Sequence, residues 1–134
     1  MTEKPLSGPS MKVTYTQKKK KVFGLVKEIP VGAFANANQI GFAIASRRPV
    51  TLVVQVETKS GLKYKNQIQV REGSVLKEFA LPFADFTPAD DSADVKVLLD
   101  LKQIYKIVLL DVTGFFLGDN QDNILWINKL HTGK

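Results

Sequence analysis

The chain has 134 residues, of which 44% are hydrophobic and 24% charged, a composition that supports one domain with a sizeable core. It contains no cysteine, which excludes a disulfide scaffold, thiolate metal sites and cysteine catalysis. The net charge of +6 is unevenly placed, since residues 1–71 carry 13 Lys/Arg and 3 Asp/Glu whereas residues 72–134 carry 6 and 10. A basic side of this kind attracts anionic partners, although a solvated surface without a partner explains it as well.

The N-terminal stretch "MTEKPLSGPS" is polar and turn-rich and has no hydrophobic centre, so it does not resemble a signal peptide. No apolar run approaches the roughly 18 residues of a membrane span. We therefore expect a cytoplasmic protein if the chain is complete, or an extracytoplasmic one if it is an excerpt that lacks its leader. Residues 1–10 are expected to be a flexible segment, followed by a single β-sandwich domain over residues 11–134.

Short strand signals follow one another along the rest of the chain. In order they are "MKVTYTQ", "KVFGLVKEI", "QIGFAIAS", "PVTLVVQVETKSGLKYKNQIQV", "VLKEFALP", "IYKIVLLDV" and "NILWINKL". Only "LDLKQI", residues 99–104, has the look of a helical turn. About eight strands with at most one helical turn predict an all-β fold, an antiparallel sandwich of the jelly-roll type.

The fourth of these stretches, residues 49–70, is the clearest hairpin. Leu52, Val54 and Val56 point to one side of the first strand and Val53, Gln55 and Glu57 to the other, and Tyr64 follows the apolar side of the second strand. The opposite side predicts a polar surface built by two adjacent strands. The candidate ligand-binding residues on it are Gln55, Glu57, Lys65, Gln67 and Gln69.

The stretch "LPFADFTP" places two phenylalanines in a loop between two prolines. Pro82 cannot continue a strand ladder, so the chain must turn there. Burying each ring stabilises the fold by roughly 1.5–3 kcal/mol. We predict that Phe83 and Phe86 pin this crossover against the core, while the acidic run "ADDSAD" stays in water.

Three stretches together resemble the galactose-binding-like jelly rolls of carbohydrate-binding module family 11 and of the complex I intermediate-associated protein family. They are "LPFADF" (81–86), "LDLKQIYKIVLLDVTG" (99–114) and "NILWINKL" (123–130). The match covers roughly residues 38–130. Asn128 stands where these families usually have an acid, which weakens any carry-over of a structural calcium ligand to that position.

Catalytic motifs are absent from the sequence. It has no G-x-S-x-G, G-x-x-x-x-G-K-[ST], G-x-G-x-x-G or H-E-x-x-H. The one histidine, His131, lies near the C-terminus, where a catalytic triad is hard to hold rigidly. The carboxylate pairs Asp90/Asp91 and Asp119/Asp122 fall in turn-like stretches, so no paired general acid and base is predicted. We expect no enzyme, no cofactor and no metal site.

Two aromatic features and one oxygen-rich loop have alternative interpretations. Trp126 is expected in the core, in preference to serving as a sugar-stacking platform. "GDNQDN", residues 118–123, is expected to be a turn into the last strand in preference to a calcium loop. Phe115 and Phe116 follow a glycine, and two consecutive aromatics are hard to bury together, so one of them is a candidate contact.

The run "QKKKKVF" offers clustered cations, which phosphate binding requires. A solvated edge strand that carries lysine to prevent aggregation is the favoured interpretation, so nucleic acid is not expected as a partner.

Two functions are consistent with these patterns. The first is a non-catalytic module that recognises carbohydrate through the polar strand side. The alternative is an interaction or assembly subunit that docks on a larger complex. Its candidate docking residues are Lys18, Lys19, Lys20, Lys21, Phe115 and Phe116.

Overall fold

The computed structural model describes residues 10–73, 75–89, 101–128 and 131–133, and the side chains of residues 12–128 within those ranges. The described residues form ten strands. They are β1 (Ser10–Gln17), β2 (Phe23–Glu28), β3 (Gln39–Ser46), β4 (Val50–Thr58), β5 (Lys63–Val70), β6 (Lys77–Pro82), β7 (Thr87–Pro88), β8 (Ile104–Asp111), β9 (Gln121–Asn128) and β10 (His131–Gly133). Three single turns of 3-10 helix accompany them, at Phe83–Asp85, Leu101–Gln103 and Thr113–Phe116.

The strands form two antiparallel sheets, which confirms the predicted β-sandwich. In the first sheet β1 pairs with β9, and β9 and β10 pair with successive parts of β3, whose other edge carries β6. In the second sheet the order is β2, β8, β4, β5, β7. The sequence predicted about eight strands; the two-residue β7 and three-residue β10 are too short to give an alternating pattern.

The core lies between the two sheets and uses the alternation that the sequence predicted. β4 alternates strictly between buried and half-buried residues, and Leu52, Val54 and Val56 are all at most 1% exposed. Tyr64, on the apolar side of β5, is also buried. Inward-facing side chains of β3, β4 and β8 from the two sheets meet in one hydrophobic cluster.

Phe83 and Phe86 are buried, as predicted, at 7% and 8% exposure. Phe83 begins the 3-10 turn that follows Pro82, and its ring lies 5.7 Å from those of both Phe86 and Phe34. The rings therefore hold the link between β6 in one sheet and β7 at the edge of the other. The acidic run that follows, from Asp90 onwards, lies outside the described residues.

Trp126 is buried, as predicted, but away from the main core. It packs with Ala43, Ala45 and Leu76 on the other side of the first sheet, where Ala45 is its direct partner across the β3–β9 ladder. Burial on both sides explains why every residue of β3 after Gln39 is buried. The small alanines leave room for the indole ring, whose Nε1 is buried and has no hydrogen-bond partner among the described residues.

The lysine run is not the solvated edge strand that the sequence predicted. Residues 18–22 form the turn between β1 and β2, and Lys20 adopts the left-handed conformation with φ of 61°. Four consecutive lysines fit a tight turn because all four side chains stay in water there. Among the described residues, no helix has the length and apolar character needed to cross a membrane.

Candidate functional site

The five candidate ligand-binding residues lie together on the outer side of the second sheet. Opposite residues of an antiparallel ladder point to the same side of the sheet. Gln55 is opposite Lys65, Glu57 is opposite Lys63, and Val53 and Thr51 are the partners of the two remaining glutamines. We call this surface the polar face, formed by Gln55, Glu57, Lys65, Gln67 and Gln69.

Exposure is graded across the polar face. Gln67 and Gln69 on β5 are exposed, whereas Gln55, Glu57 and Lys65 are half-buried. The end of the polar face at Gln67 and Gln69 therefore meets solvent directly, and the end at Glu57 lies deeper.

Several polar side chains at this surface hold one another in place. The Gln55 amide Nε2 donates a hydrogen bond to the Glu57 carboxylate at 3.2 Å, and the Lys106 ammonium lies 3.7 Å from the same carboxylate. Thr51 Oγ1 donates to the Gln69 amide oxygen at 3.0 Å. Such links fix the directions of donors and acceptors before a ligand arrives, which reduces the entropy lost on binding.

An aromatic ring borders the polar face at the Glu57 end. The ladder between β4 and β8 shifts register between Glu57 and Thr58, which leaves Tyr105 and Lys106 between the inward-facing Ile104 and Ile107. The Tyr105 ring is half-buried and is approached by the ammonium groups of Lys59, at 4.7 Å, and Lys106, at 5.4 Å. Sequence reasoning missed this residue, although the three-residue spacing of the two isoleucines signals an extra residue in the strand.

An apolar strip lies beside the polar face on β2 and β8. Val108 is the ladder partner of both Gln55 and Val26; it is buried, at 7% exposure, whereas Val26 is 62% exposed. A surface of amides and charged groups beside aliphatic side chains and a tyrosine can receive both the hydroxyl groups and the C–H face of a sugar ring.

The candidate docking residues, which are about 95 positions apart in sequence, also come together. The backbone N–H of Lys20 donates to the Gly114 carbonyl at 2.8 Å, and that of Lys19 donates to Asn120 Oδ1 at 2.7 Å. Phe115 and Phe116 follow Gly114 in the 3-10 turn and are 57% and 73% exposed. The sequence predicted that one of the two rings is exposed, and in the structure both are.

A glycine is required where these two loops meet. A Cβ on Gly114 would lie 2.1 Å from the Lys18 carbonyl oxygen and 2.5 Å from that of Lys21, well inside the limit for such contacts. The position therefore admits no side chain without a shift of backbone.

A buried polar network lies beneath this junction. The Asp111 carboxylate accepts hydrogen bonds from the Tyr15 hydroxyl, from Gln17 Nε2 at 2.8 Å and from the Thr113 N–H at 2.9 Å. Asn123 Nδ2 donates to the Tyr15 oxygen at 3.0 Å. Burial raises the pKa of the Tyr15 phenol far above its ordinary value, and the hydrogen bond to Asp111 raises that pKa further.

A cavity of about 250 Å³ opens between the lysine turn and this network, lined by Thr16, Gln17, Lys18, Lys21, Val22, Phe23, Asp111 and Gly114. Both carboxylate oxygens of Asp111 already accept hydrogen bonds from the protein. The carboxylate therefore acts as a structural acceptor that joins β1 to β8 across the two sheets.

The loop "GDNQDN" leads into β9 at Gln121, as predicted. Two of its side-chain oxygen atoms accept hydrogen bonds from β1 and the turn that follows it: Asn120 Oδ1 accepts from the Lys19 N–H, and Asp122 Oδ1 accepts from Thr16 Oγ1 at 3.0 Å. Within the described ranges, no group of three His, Cys, Asp or Glu side chains is arranged to hold a metal ion.

No protein-family model and no curated protein matches the chain. Several solved structures do match it. The family 11 carbohydrate-binding module of the cellulosomal cellulase Lic26A-Cel5E of Clostridium thermocellum is 16% identical, with a TM-score of 0.61 over 92% of this chain and 82% of that one. The family 11 module from the same organism in complex with a β-1,3-1,4-mixed-linked tetrasaccharide gives a TM-score of 0.59 at 16% identity, over 92% and 83% of the chains.

An exo-β-agarase gives a TM-score of 0.64 at 14% identity over 93% of this chain, which corresponds to 20% of the agarase. These likenesses confirm, at the level of the fold, the resemblance to family 11 modules that the sequence suggested. The chain therefore shares the β-sandwich, jelly-roll fold of the family 11 carbohydrate-binding modules.

Proposed function

We propose that this chain is a non-catalytic carbohydrate-binding module that recognises sugar hydroxyls through the polar face. The observation that carries the proposal is the arrangement of Gln55, Glu57, Lys65 and Gln67 on one side of two paired strands. Amide, carboxylate and ammonium groups held on rigid strands give the fixed hydrogen-bond directions that sugar recognition requires. A family 11 module in complex with a tetrasaccharide supports the substrate class.

Tyr105 would supply the apolar part of the site. Its ring borders the deeper end of the polar face, beside Glu57, while the exposed glutamines lie at the other end. Aromatic rings pack against the C–H faces of ligands and bury more area than an aliphatic residue. We propose that a sugar chain lies across β4 and β5, with one ring against Tyr105 and hydroxyl groups at the glutamines.

A glycan array followed by titration of the best ligand tests this function. Gln67→Ala should lower affinity at least tenfold and leave the melting temperature within about 1 °C, because the side chain is exposed. Tyr105→Ala should abolish binding, because it removes the apolar part of the site. A suitable control is Lys77→Ala, since Lys77 is exposed on β6 in the other sheet.

Two results would contradict the proposal: a stable protein that binds no glycan on the array, or glycan binding that survives both substitutions. The alternative function, an assembly subunit docking through Lys18–Lys21 and Phe115/Phe116, receives no support from the solved structures above.

A further inference from the structure

Four connections meet at one end of the sandwich. They are residues 18–22, 47–49, 71–76 (of which Ser74 lies outside the described residues) and 112–120. Hydrogen bonds tie them to the neighbouring strand ends: the Gly73 N–H donates to the carbonyl of Ser46 at the end of β3, and Arg48 Nε donates to the carbonyl of Asp122 at the start of β9 at 2.7 Å. We call this surface the basic end.

The basic end concentrates charge of one sign. Its seven basic residues are all exposed: Lys18, Lys19, Lys20, Lys21, Arg47, Arg48 and Arg71. Three exposed acidic residues accompany them: Glu72, Asp119 and Asp122. Within the described part of the chain, no carboxylate pairs with the ammonium groups of the lysine turn.

The same end concentrates exposed apolar side chains. Among the described residues six large hydrophobic side chains are exposed, and four of them lie here: Val22, Val75, Phe115 and Phe116, at 44%, 78%, 57% and 73%. They are spread over three of the four connections. Exposed apolar groups gathered among charges mark an interaction site.

The lysine turn and the phenylalanine turn are locked together. Two hydrogen bonds join Lys19 and Lys20 to the loop that begins at Gly114, and Gly114 allows the backbones to touch. The lysine side chains and the two phenylalanine rings therefore belong to one surface, which is already formed before a partner binds.

We propose that the basic end docks on a lipid bilayer that carries anionic headgroups. Lysine and arginine are attracted to such headgroups, and apolar side chains insert into the boundary below them. A bilayer accepts apolar residues scattered over several loops, whereas a protein partner needs a pocket shaped for each of them. Charge and apolar anchoring act together, because either alone gives weak, reversible binding.

Co-sedimentation with vesicles tests the proposal. The full chain should pellet with phosphatidylcholine vesicles that contain about 30% phosphatidylserine, and should remain in solution with pure phosphatidylcholine. Raising the salt from about 0.1 M to about 1 M should release most of the bound protein, because the Debye length shortens from about 10 Å to about 3 Å.

Two variants separate the contributions. Phe115→Ser with Phe116→Ser should lower the partition coefficient at least tenfold, since two ring insertions are lost. Lys18→Gln with Lys19→Gln should lower it by roughly fivefold per residue. Val26→Ser is the matched control, because Val26 is equally exposed but lies on β2, away from the basic end, and partitioning should not change. Melting temperatures establish that each variant is folded, and Phe116→Ser alone replaces the double variant if that one is not.

Binding to both kinds of vesicle alike, or to neither, would overturn the proposal. So would binding that needs the lysines but not the phenylalanines and is matched on immobilised heparin, since that result would assign the surface to soluble polyanions. The proposal is established if the natural chain binds only the anionic vesicles and if both the phenylalanine variant and the lysine variant lose that binding.

Discussion

The polar face and the basic end differ in how their side chains are held. Polar-face residues stand on paired strands, are partly buried and include side chains linked to neighbours, such as Gln55 to Glu57. Side chains of the basic end stand on turns and are exposed, although the turns beneath them are locked. Fixed side chains on a rigid strand select a ligand by the direction of its hydroxyl groups. Exposed chains on a rigid turn select only charge and apolar character.

Both surfaces depend on the same core, and the largest expected effect is therefore on stability. Phe86→Ala should lower the free energy of unfolding by about 3–5 kcal/mol, the usual loss for a buried phenylalanine. Because the ring holds the link to β7 at the edge of the second sheet, glycan binding should weaken too. Urea denaturation measures the stability, with Phe116→Ala as an exposed control that should cost almost nothing. A loss below about 1 kcal/mol for Phe86→Ala would show that the ring is not an anchor.

The junction of the basic end can be broken separately. Gly114→Ala should destabilise the fold by about 1–3 kcal/mol, because a backbone carbonyl must move to admit the methyl group. The Lys20 amide should then exchange its hydrogen faster, since its bond to Gly114 is lost. Gly118→Ala is the matched control, since no described residue beyond its two chain neighbours has an atom within 4 Å of its Cβ position. Equal hydrogen exchange at Lys20 in the two variants would contradict the locked junction.

The buried network beneath the basic end should appear in the pH dependence of stability. The folded-state pKa of Tyr15 is raised above its unfolded value of about 10, so its contribution is complete below pH 10 and is lost as the pH rises above that value. The slope is about 1.4 kcal/mol per pH unit for one such group. Tyr15→Phe should be less stable at neutral pH by roughly 1–3 kcal/mol, and the difference from the natural chain should shrink above pH 10. Parallel stability curves for the two proteins up to pH 12 would refute this account.

The sequence predicted the features that depend on residues close together in the chain. The alternation in residues 49–70 predicted the shared face because a strand repeats every two residues, and the proline-flanked phenylalanines predicted an anchor because their rings must avoid water. The register shift that turns Tyr105 outward depends on the partner strand. The hydrogen bond between Tyr15 and Asp111 joins residues 96 positions apart, and no spacing in the sequence signals it. The turn in the lysine run depends on the hydrogen bond between Lys20 and the distant Gly114. The local pattern does not contain that contact, and it therefore indicated an edge strand.

The smallest expected effect on stability comes from a substitution that is still expected to weaken binding. Gln67→Ala removes an exposed amide and should leave the melting temperature almost unchanged while the affinity for a glycan falls. If the same change destabilises the fold by about 1–3 kcal/mol, the amide has a buried partner and the polar face is covered. The stability of this variant therefore distinguishes a covered structural surface from an open binding surface, and the measurement needs no ligand.

The most direct test of the central claim is an NMR titration of the labelled chain with the glycan that binds best on the array, using a β-1,3-1,4-linked tetrasaccharide as the first probe. The account predicts that amide and side-chain signals of Gln55, Lys65, Gln67 and Tyr105 shift in a saturable way while those of Lys18–Lys21 and Phe116 do not. Saturable shifts centred on the basic end, or no shift with any glycan, would contradict recognition of sugars by the polar face.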